Sequence, residues 1–362
     1  MNASKPVPGG RGGVALPSRR EMLAGFAAVG ASAILPGGEL PAQAPAASAR
    51  RFDFHHHFAS PRFLALIGSL KESGYQTWEK NYSVAKDVEA MDRAEVATSF
   101  ISLTTPGISQ GNDEQTRALA RDLNEFGTKM ASDHKGRFAL FAALPLPNID
   151  ASLREIEYAF DTLKAEGVGV ITSYGNKWLG DPLFAPVLEE LNRRKTILYS
   201  HPIDAPCCRN LIPGLGPTAI EYNTDTTRAI ASVIVSGMAD RTPDVTYIFS
   251  HAGGTMPYLV ERFGIGGPDT IADILARTPE KGSKLYHLRR FYYDTAQSTN
   301  PIQMQALKAL AGASQIVFGT DYPFSNIVNH VVGLKKCGFT AQELRGIDRE
   351  NGLRFLPAKF KT

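Results

Sequence analysis

Eight short apolar runs, each followed by a polar or Gly/Pro-containing loop and most by a longer helical stretch, constrain this chain more than any other feature. They cover residues 51–54, 97–103, 138–144, 168–172, 196–200, 245–250, 291–293 and 315–319. Apart from the first, Arg51-Phe52-Asp53-Phe54, none alternates apolar with polar residues as a strand with one wet face would. All eight therefore read as strands buried on both faces; such strands are parallel, and eight of them joined by helices close into an α/β fold, a (β/α)8 barrel of the TIM type. A doubly wound open sheet would put a Gly-rich turn after the first strand, where this chain has Phe54-His55-His56-His57-Phe58. The intervening stretches suit the barrel: residues 113–131 start acidic and carry lysine late, as the helix dipole prefers, and residues 150–166 and 182–194 have amphipathic spacing. Residues 202–225, rich in Pro and Gly, are too long for an ordinary connection and are expected to shape a pocket mouth or a subunit contact.

A length of 362 residues with 43% hydrophobic content is enough for one large core, and residues 50–362 read as a single barrel domain. Residues 1–49 stand apart. Ser18-Arg19-Arg20-Glu21-Met22-Leu23 opens an apolar run ending at Leu35, too short to span a membrane, and Ala42-Gln43-Ala44 and Ala47-Ser48-Ala49 follow as small-x-small sites. This segment resembles a twin-arginine export signal with a linker, which implies a periplasmic or secreted protein, or a cytoplasmic one if the signal is not used. Cleavage after Ala44 would remove Lys5, Arg11, Arg19, Arg20, Glu21 and Glu39 from the 39 basic and 36 acidic residues, leaving 35 and 34. So balanced a chain has no field for nucleic acid, and no membrane partner is expected once the signal is gone. Cys207, Cys208 and Cys337 form neither a disulfide framework nor a CxxC ligand pair.

The chemistry gathers at the ends of the runs. Residues two apart on a strand share a face, so His55 and His57 point into one pocket and His56 away from it, giving half of a divalent-metal site. The fifth run leads into His201, the sixth into His251 and the eighth into Asp321. In a barrel these side chains converge at the carboxyl rim although more than two hundred residues separate them. His134, His287 and His330 fall in turn, helix or loop context and are assigned, with His56, to structure or surface.

The set His55-x-His57, His201, His251 in Ser-His-Ala-Gly-Gly and Asp321 in Gly-Thr-Asp-Tyr-Pro resembles the amidohydrolase superfamily, in the branch of aminocarboxymuconate-semialdehyde decarboxylase and the metal-dependent aromatic acid decarboxylases. Phe54-His55-His56-His57-Phe58, Ser102-Leu103-Thr104-Thr105-Pro106-Gly107, Thr172-Ser173-Tyr174-Gly175 with Trp178-Leu179-Gly180-Asp181-Pro182, and Tyr293-Asp294-Thr295-Ala296 are most similar to the 6-methylsalicylate decarboxylase group. The resemblance implies one divalent metal held by His55, His57, His201 and Asp321, zinc first with manganese or magnesium admitted, and His251 beside it handling protons. It also implies that Arg262 reaches a substrate carboxylate, in some relatives across a homodimer interface. Two-metal members of the superfamily need a carboxylated lysine after the fourth strand. Here Thr172-Ser173-Tyr174 stands there and Lys177 lies further into the loop, so a mononuclear centre is expected.

The expected activity is a nonoxidative carboxy-lyase acting on a hydroxylated aromatic or muconate-like acid, with metal chelation of the substrate and ring protonation by His251 or Asp321. Asp53, Asp294 and Ser250 are candidates to orient the imidazoles, and Thr104, Tyr174 and Trp178 to shape a flat aromatic pocket. Two other readings use the same barrel: a hydrolase of a lactone or other cyclic ester or amide, and a binding protein without catalysis.

Overall fold

The computed structural model describes residues 51–70, 73–109, 111–265 and 268–361; the expected export signal and linker, residues 1–49, lie outside them. Among the described residues ten strands occur, in the order β1 (Arg51–His57), β2 (Val96–Ser102), β3 (Phe138–Ala143), β4 (Gly167–Ile171), β5 (Ser173–Tyr174), β6 (Lys177–Trp178), β7 (Ile197–His201), β8 (Thr246–Phe249), β9 (Tyr292–Asp294) and β10 (Ile316–Val317). β5 and β6 pair only with each other, antiparallel. The other eight are the eight apolar runs of the sequence, paired in the order β1-β2-β3-β4-β7-β8-β9-β10 with every pair parallel. The first strand meets the last through Phe54 N–H to Phe318 O (2.9 Å), Asp321 N–H to His55 O (2.8 Å) and His57 N–H to Tyr322 O (2.8 Å). The eight strands thus form a nearly closed barrel with helices between them.

An aromatic ladder fills the lumen floor. Phe54 stacks on Phe100 at 4.5 Å, Phe100 on Phe141 at 5.3 Å and Phe141 on Tyr199 at 5.7 Å, four buried rings from four strands. Neighbours of opposite parity, such as Leu140, Leu198 and Phe249, pack outward in the larger core against the helices. Truncating a ring in the middle of the ladder leaves a void that its rigid strand neighbours cannot close. Phe141→Ala is therefore expected to destabilise the fold by about 3–5 kcal/mol, read as a lower midpoint in urea unfolding with an unchanged slope.

The helices begin where their caps place them. Asn112 accepts from Gln115 N–H ahead of the helix Asp113–Asp133, whose first turn carries Asp113 and Glu114. The amphipathic stretch read over residues 150–166 is helical only over Ile149–Glu157, then widens into a π turn, Tyr158–Thr162. The insertion after β7 is less irregular than its composition suggests. It holds two 3-10 turns, Pro206–Cys208 and Pro217–Ala219, and its end enters the helix Glu221–Val235.

One irregularity in β1 decides what the site receives. Asp53 pairs with Ser99 but His56 with Ile101, so β1 holds one residue more than β2 over this span, a β-bulge. Strict alternation would set Phe52, Phe54 and His56 on one face. The extra residue resets the phase: Phe52 and Phe54 pack in the lumen floor, His55 and His57 enter the cavity above it, and His56 faces outward against Tyr322 and Phe138.

Candidate metal centre and active site

Four side chains from three strand ends meet at the carboxyl rim. One ligand atom from each of His55, His57, His201 and Asp321 lies within 4.8 Å of every other, and all four residues are buried. Among the described residues this is the one group of three or more such side chains with converging ligand atoms. His55 Nε2 is 3.1 Å from His57 Nε2, and Asp321 Oδ1 is 3.2 Å and 3.1 Å from those same nitrogens. The His201 ring lies 5.1 Å from His55 and 4.7 Å from His57, centroid to centroid.

The far sides of these rings explain why they point inward. His57 Nδ1 donates to Ser102 O (3.3 Å), His201 Nδ1 to Pro202 O (2.9 Å) and His251 Nδ1 to Ala296 O (2.9 Å). A carbonyl can only accept, so each Nδ1 is assigned the hydrogen and each Nε2 a lone pair directed at the cavity. His55 Nδ1 is tied at 2.8 Å to Asp294 Oδ2, whose other oxygen accepts from the backbone N–H of His251 (2.8 Å) and of Ala296 (3.0 Å). Asp53 acts one step further out, accepting from Thr320 N–H (3.0 Å) and Thr320 Oγ1 (2.6 Å) in the turn that delivers Asp321. Ser250, the third expected orienting group, touches no imidazole: its hydroxyl is buried and without a hydrogen-bond partner.

Converging lone pairs and a carboxylate repel one another unless a cation or a proton lies among them. Burial opposes charge on His55, but Asp294 and Asp321 outweigh it and push its pKa up to about 10. Burial would raise Asp321 and Asp294, yet the charge at His55 holds both below the usual carboxylate range. Burial holds His57, His201 and His251 below the ordinary imidazole value, so these three are neutral bases. One charged imidazole is what this donor set settles for when only protons are available, and a divalent cation would displace that proton. The neutral imidazoles of His57 and His201, that of His55 once freed by the exchange, and the Asp321 carboxylate fit such a cation by their chemistry.

The backbone is bent to make this possible. His251 (φ 53°), Ala252 (φ 58°), Gln297 (φ 46°) and Asp321 (φ 65°) all sit in the left-handed region, which costs a non-glycine residue about 1–3 kcal/mol and clusters at functional sites. Gly319 is required for closeness rather than φ: a Cβ there would fall 2.9 Å from the Cβ atoms of both Asp294 and His55.

A cavity of about 390 Å³ opens over the cluster, reached by His201, His251 and Asp321 and walled by Thr104, Tyr222 and Phe324 among others. A larger cavity of about 1230 Å³ lies at the opposite, amino end of the strands around Arg51 and Arg349; it contains none of the converging donors, so the smaller one is the candidate active site. His251 Nε2 is buried there without a partner. Of the expected pocket residues, Thr104 lines this cavity, whereas Tyr174 and Trp178 do not. The Tyr174 hydroxyl accepts from Ile171 N–H (3.3 Å), and Trp178 Nε1 donates to buried Asp225 (2.7 Å). Asp225 also accepts from Thr172 Oγ1 and Ser173 Oγ, pinning the start of the helix Glu221–Val235 to the end of β4. Arg262 is exposed and outside the cavity. Lys177 is exposed and paired with Asp181 (3.1 Å), away from the cluster.

Sequence reasoning missed Gln297, whose Nε2 donates to Asp321 Oδ2, and Tyr222, Asn223 and Thr218, which the insertion lays over the cavity. The insertion itself is marked by composition; which of its side chains turn inward is not.

A family model described as amidohydrolase matches residues 52–357. Decarboxylase yanB of Aspergillus niger is 34% identical over 329 residues, covering 85% of this chain and 87% of its own. The 6-methylsalicylic acid decarboxylase of Penicillium expansum is 31% identical over 282 residues, covering 75% and 85%. The fold is similar, at a TM-score of 0.74 and 17% identity over 86% of this chain and 96% of the other, to 5-carboxyvanillate decarboxylase of Novosphingobium aromaticivorans, solved with manganese and 4-hydroxy-3-methoxy-5-nitrobenzoic acid.

Proposed function

This chain is a member of the amidohydrolase family, and from that premise we propose that it is a metal-dependent, nonoxidative decarboxylase of a hydroxylated aromatic acid, of the 6-methylsalicylate-like 2-hydroxybenzoate class. The observation that carries the reading is the donor cluster, the one such group among the described residues, with an unpartnered His251 Nε2 beside it and the lysine after β4, Lys177, turned away to Asp181. The names of the relatives support it.

His55, His57, His201 and Asp321 would hold the cation. When bound it supplies positive charge to the carboxylate and phenol oxygens of the substrate and fixes the acid in the cavity. Three imidazoles and a carboxylate already fill the usual four positions of zinc. A site that must also take substrate oxygens suits manganese better, and the manganese in the solved relative supports that choice over zinc or magnesium. His251 is the proton carrier. Its Nδ1–H is fixed by Ala296 O and its Nε2 is free, whereas Asp321 is engaged through Oδ1 with His57 and through Oδ2 with Gln297. Burial disfavours charge on His251, so a proton placed on it is readily given up. Its Nε2 takes a proton from water in the cavity and gives it to the ring carbon that bears the carboxylate; the electrons of the breaking C–C bond return to the ring as CO2 leaves.

We carry two further expectations forward as proposals. Residues 1–49 act as a twin-arginine export signal, and Arg262 meets a substrate carboxylate from the second copy of a homodimer. Exposed Leu211, Ile212 and Leu215 on the insertion support a subunit contact near the cavity mouth.

The deciding assay loads the purified protein with manganese or zinc and measures CO2 release from a panel of 2-hydroxybenzoates beside ring opening of a lactone panel. CO2 release abolished by chelation and restored by metal is the expected result. Lactone opening with no CO2 from any acid would transfer the assignment to a hydrolase; silence on both panels would leave a binding protein.

A further inference from the structure

The last strand of the barrel stops short of the donor it delivers, and a side chain takes over from it. The ladder between β9 and β10 has two registered pairs, Ile316 with Tyr293 and Val317 with Asp294. Beyond Val317 the chain must leave β9 and cross to β1 before it reaches Asp321. Three successive residues make the crossing, each with its own holder. Gly319 stays on the β9 side, where both of its backbone groups meet one hydroxyl: Gly319 N–H donates to Thr295 Oγ1 (3.1 Å), and Thr295 Oγ1 donates to Gly319 O (3.0 Å). Thr320 N–H then donates to Asp53 Oδ1 (3.0 Å) and Asp321 N–H to His55 O (2.8 Å), both on β1.

A hydroxyl has one hydrogen and two lone pairs, so Thr295 has room for one more donor. His330 supplies it, with Nε2 3.0 Å from Thr295 Oγ1. Because the hydroxyl hydrogen goes to Gly319 O, the His330 hydrogen is assigned to Nε2, the reverse of the Nδ1–H assigned to His57, His201 and His251. Burial pushes the His330 pKa down to about 4, so at neutral pH the ring is an uncharged donor. Its edge packs on Phe318, the residue before Gly319, at 5.4 Å and 78°. Thr295 is fully buried and His330 is 5% exposed. With all three sites of the hydroxyl filled, Thr295 has no second orientation to adopt.

The crossing has no slack to absorb a change at Gly319. A Cβ on that residue would meet Asp294 and His55 at 2.9 Å, and Asp321 is already held at a left-handed φ of 65°. A displaced Gly319 therefore displaces Asp321, whose Oδ1 lies 3.2 Å from His55 Nε2 and 3.1 Å from His57 Nε2. Neither Thr295 nor His330 lines the cavity, so neither meets substrate directly.

We propose that Thr295 and His330 are positioning residues for the metal centre: acting through Gly319, they set where the Asp321 carboxylate stands among the imidazoles. This rests on the reading of Asp321 as a metal donor. It also gives the helix Ile327–Leu334, which carries His330, a direct hold on the site.

The test is calorimetric titration of manganese(II) into the full chain after removal of metal by a chelator. Wild type is compared with Thr295→Val, which keeps the side-chain shape without the hydroxyl, and Thr295→Ser, which keeps the hydroxyl. Leu191→Ala, a cavity in the outer layer made from the buried face of the helix Ala185–Arg193, controls for instability as such. Thr295→Val is expected to bind manganese roughly 10–100-fold more weakly, the range for losing a partner of a metal ligand, with Thr295→Ser within about threefold of wild type and Leu191→Ala unchanged. Wild-type affinity in Thr295→Val, failure of Thr295→Ser to restore it, or an equal loss in Leu191→Ala would overturn the proposal. If Thr295→Val does not fold, His330→Phe removes only the N–H and keeps a ring against Phe318; it is expected to weaken manganese binding about fivefold, the effect of one hydrogen bond, and unchanged affinity there overturns the proposal equally. Asp321→Asn in the same titration separates the two readings. Loss of affinity in Asp321→Asn with none in Thr295→Val strikes this proposal alone, whereas wild-type affinity in Asp321→Asn removes the donor reading beneath it.

Discussion

Asp321→Asn is expected to leave purified protein with substoichiometric metal and decarboxylation below detection. Asp321 contributes the only anion among the donors, 3.1 Å from His57 Nε2 and 3.2 Å from His55 Nε2. The amide is nearly isosteric but neutral, and three imidazoles without a negative charge bind a divalent ion more weakly. Loss of an outer-sphere partner already costs roughly 10–100-fold in metal affinity, and loss of this inner donor is expected to exceed it. The backbone does not confound the experiment, because Asn tolerates the left-handed φ of 65° as well as Asp does. Elemental analysis after purification without added metal checks the result. Wild-type metal content in this variant would sink the donor assignment.

His251→Asn should do the opposite: full metal content, with kcat lowered by roughly 10²–10⁴-fold, the range for losing a positioned proton carrier. The His251 ring is 4.9 Å from His55 and 5.9 Å from His201, centroid to centroid, close enough to serve the same bound acid. Its φ of 53° is again accessible to Asn, so Ala252 and Gly253 beyond it keep their course. Substrate affinity is expected to change little, since the carboxylate is held elsewhere. A kcat within a few-fold of wild type would pass the proton role to Asp321. Together the two variants separate holding the cation from moving the proton.

The barrel was legible because its strands are buried on both faces, which forbids polar alternation and leaves eight apolar runs as plain marks. The gathering of His201, His251 and Asp321 with His55 and His57 was legible for a related reason, since a strand end at the carboxyl rim has one useful direction to point, whereas the choice of His55, His57, His201 and Asp321 as donors came from the family resemblance. Details that depend on local backbone were not. Nothing in Phe54-His55 announces the bulge that lets both side chains face the lumen. Tyr174 and Trp178 follow a strand as pocket residues do, yet the short β5–β6 hairpin carries them sideways to Ile171 and Asp225. Gln297 reaches Asp321 because its own φ is 46°, a property an amide side chain does not advertise. His56, read as merely structural, stacks on Tyr322 near the buried carboxyl of Asp87.

The seam at which the barrel shuts has a temporal meaning. His55 and His57 emerge early in synthesis, but the carboxylate beside them follows the last strand of the sheet and is held there by the bonds of Asp321 to His55 O, of His57 to Tyr322 O and of Thr320 to Asp53. A nascent chain, or one truncated before β10, can offer imidazoles to an ion but not the charge that retains it. The donor set is therefore complete only once the last strand has closed on the first.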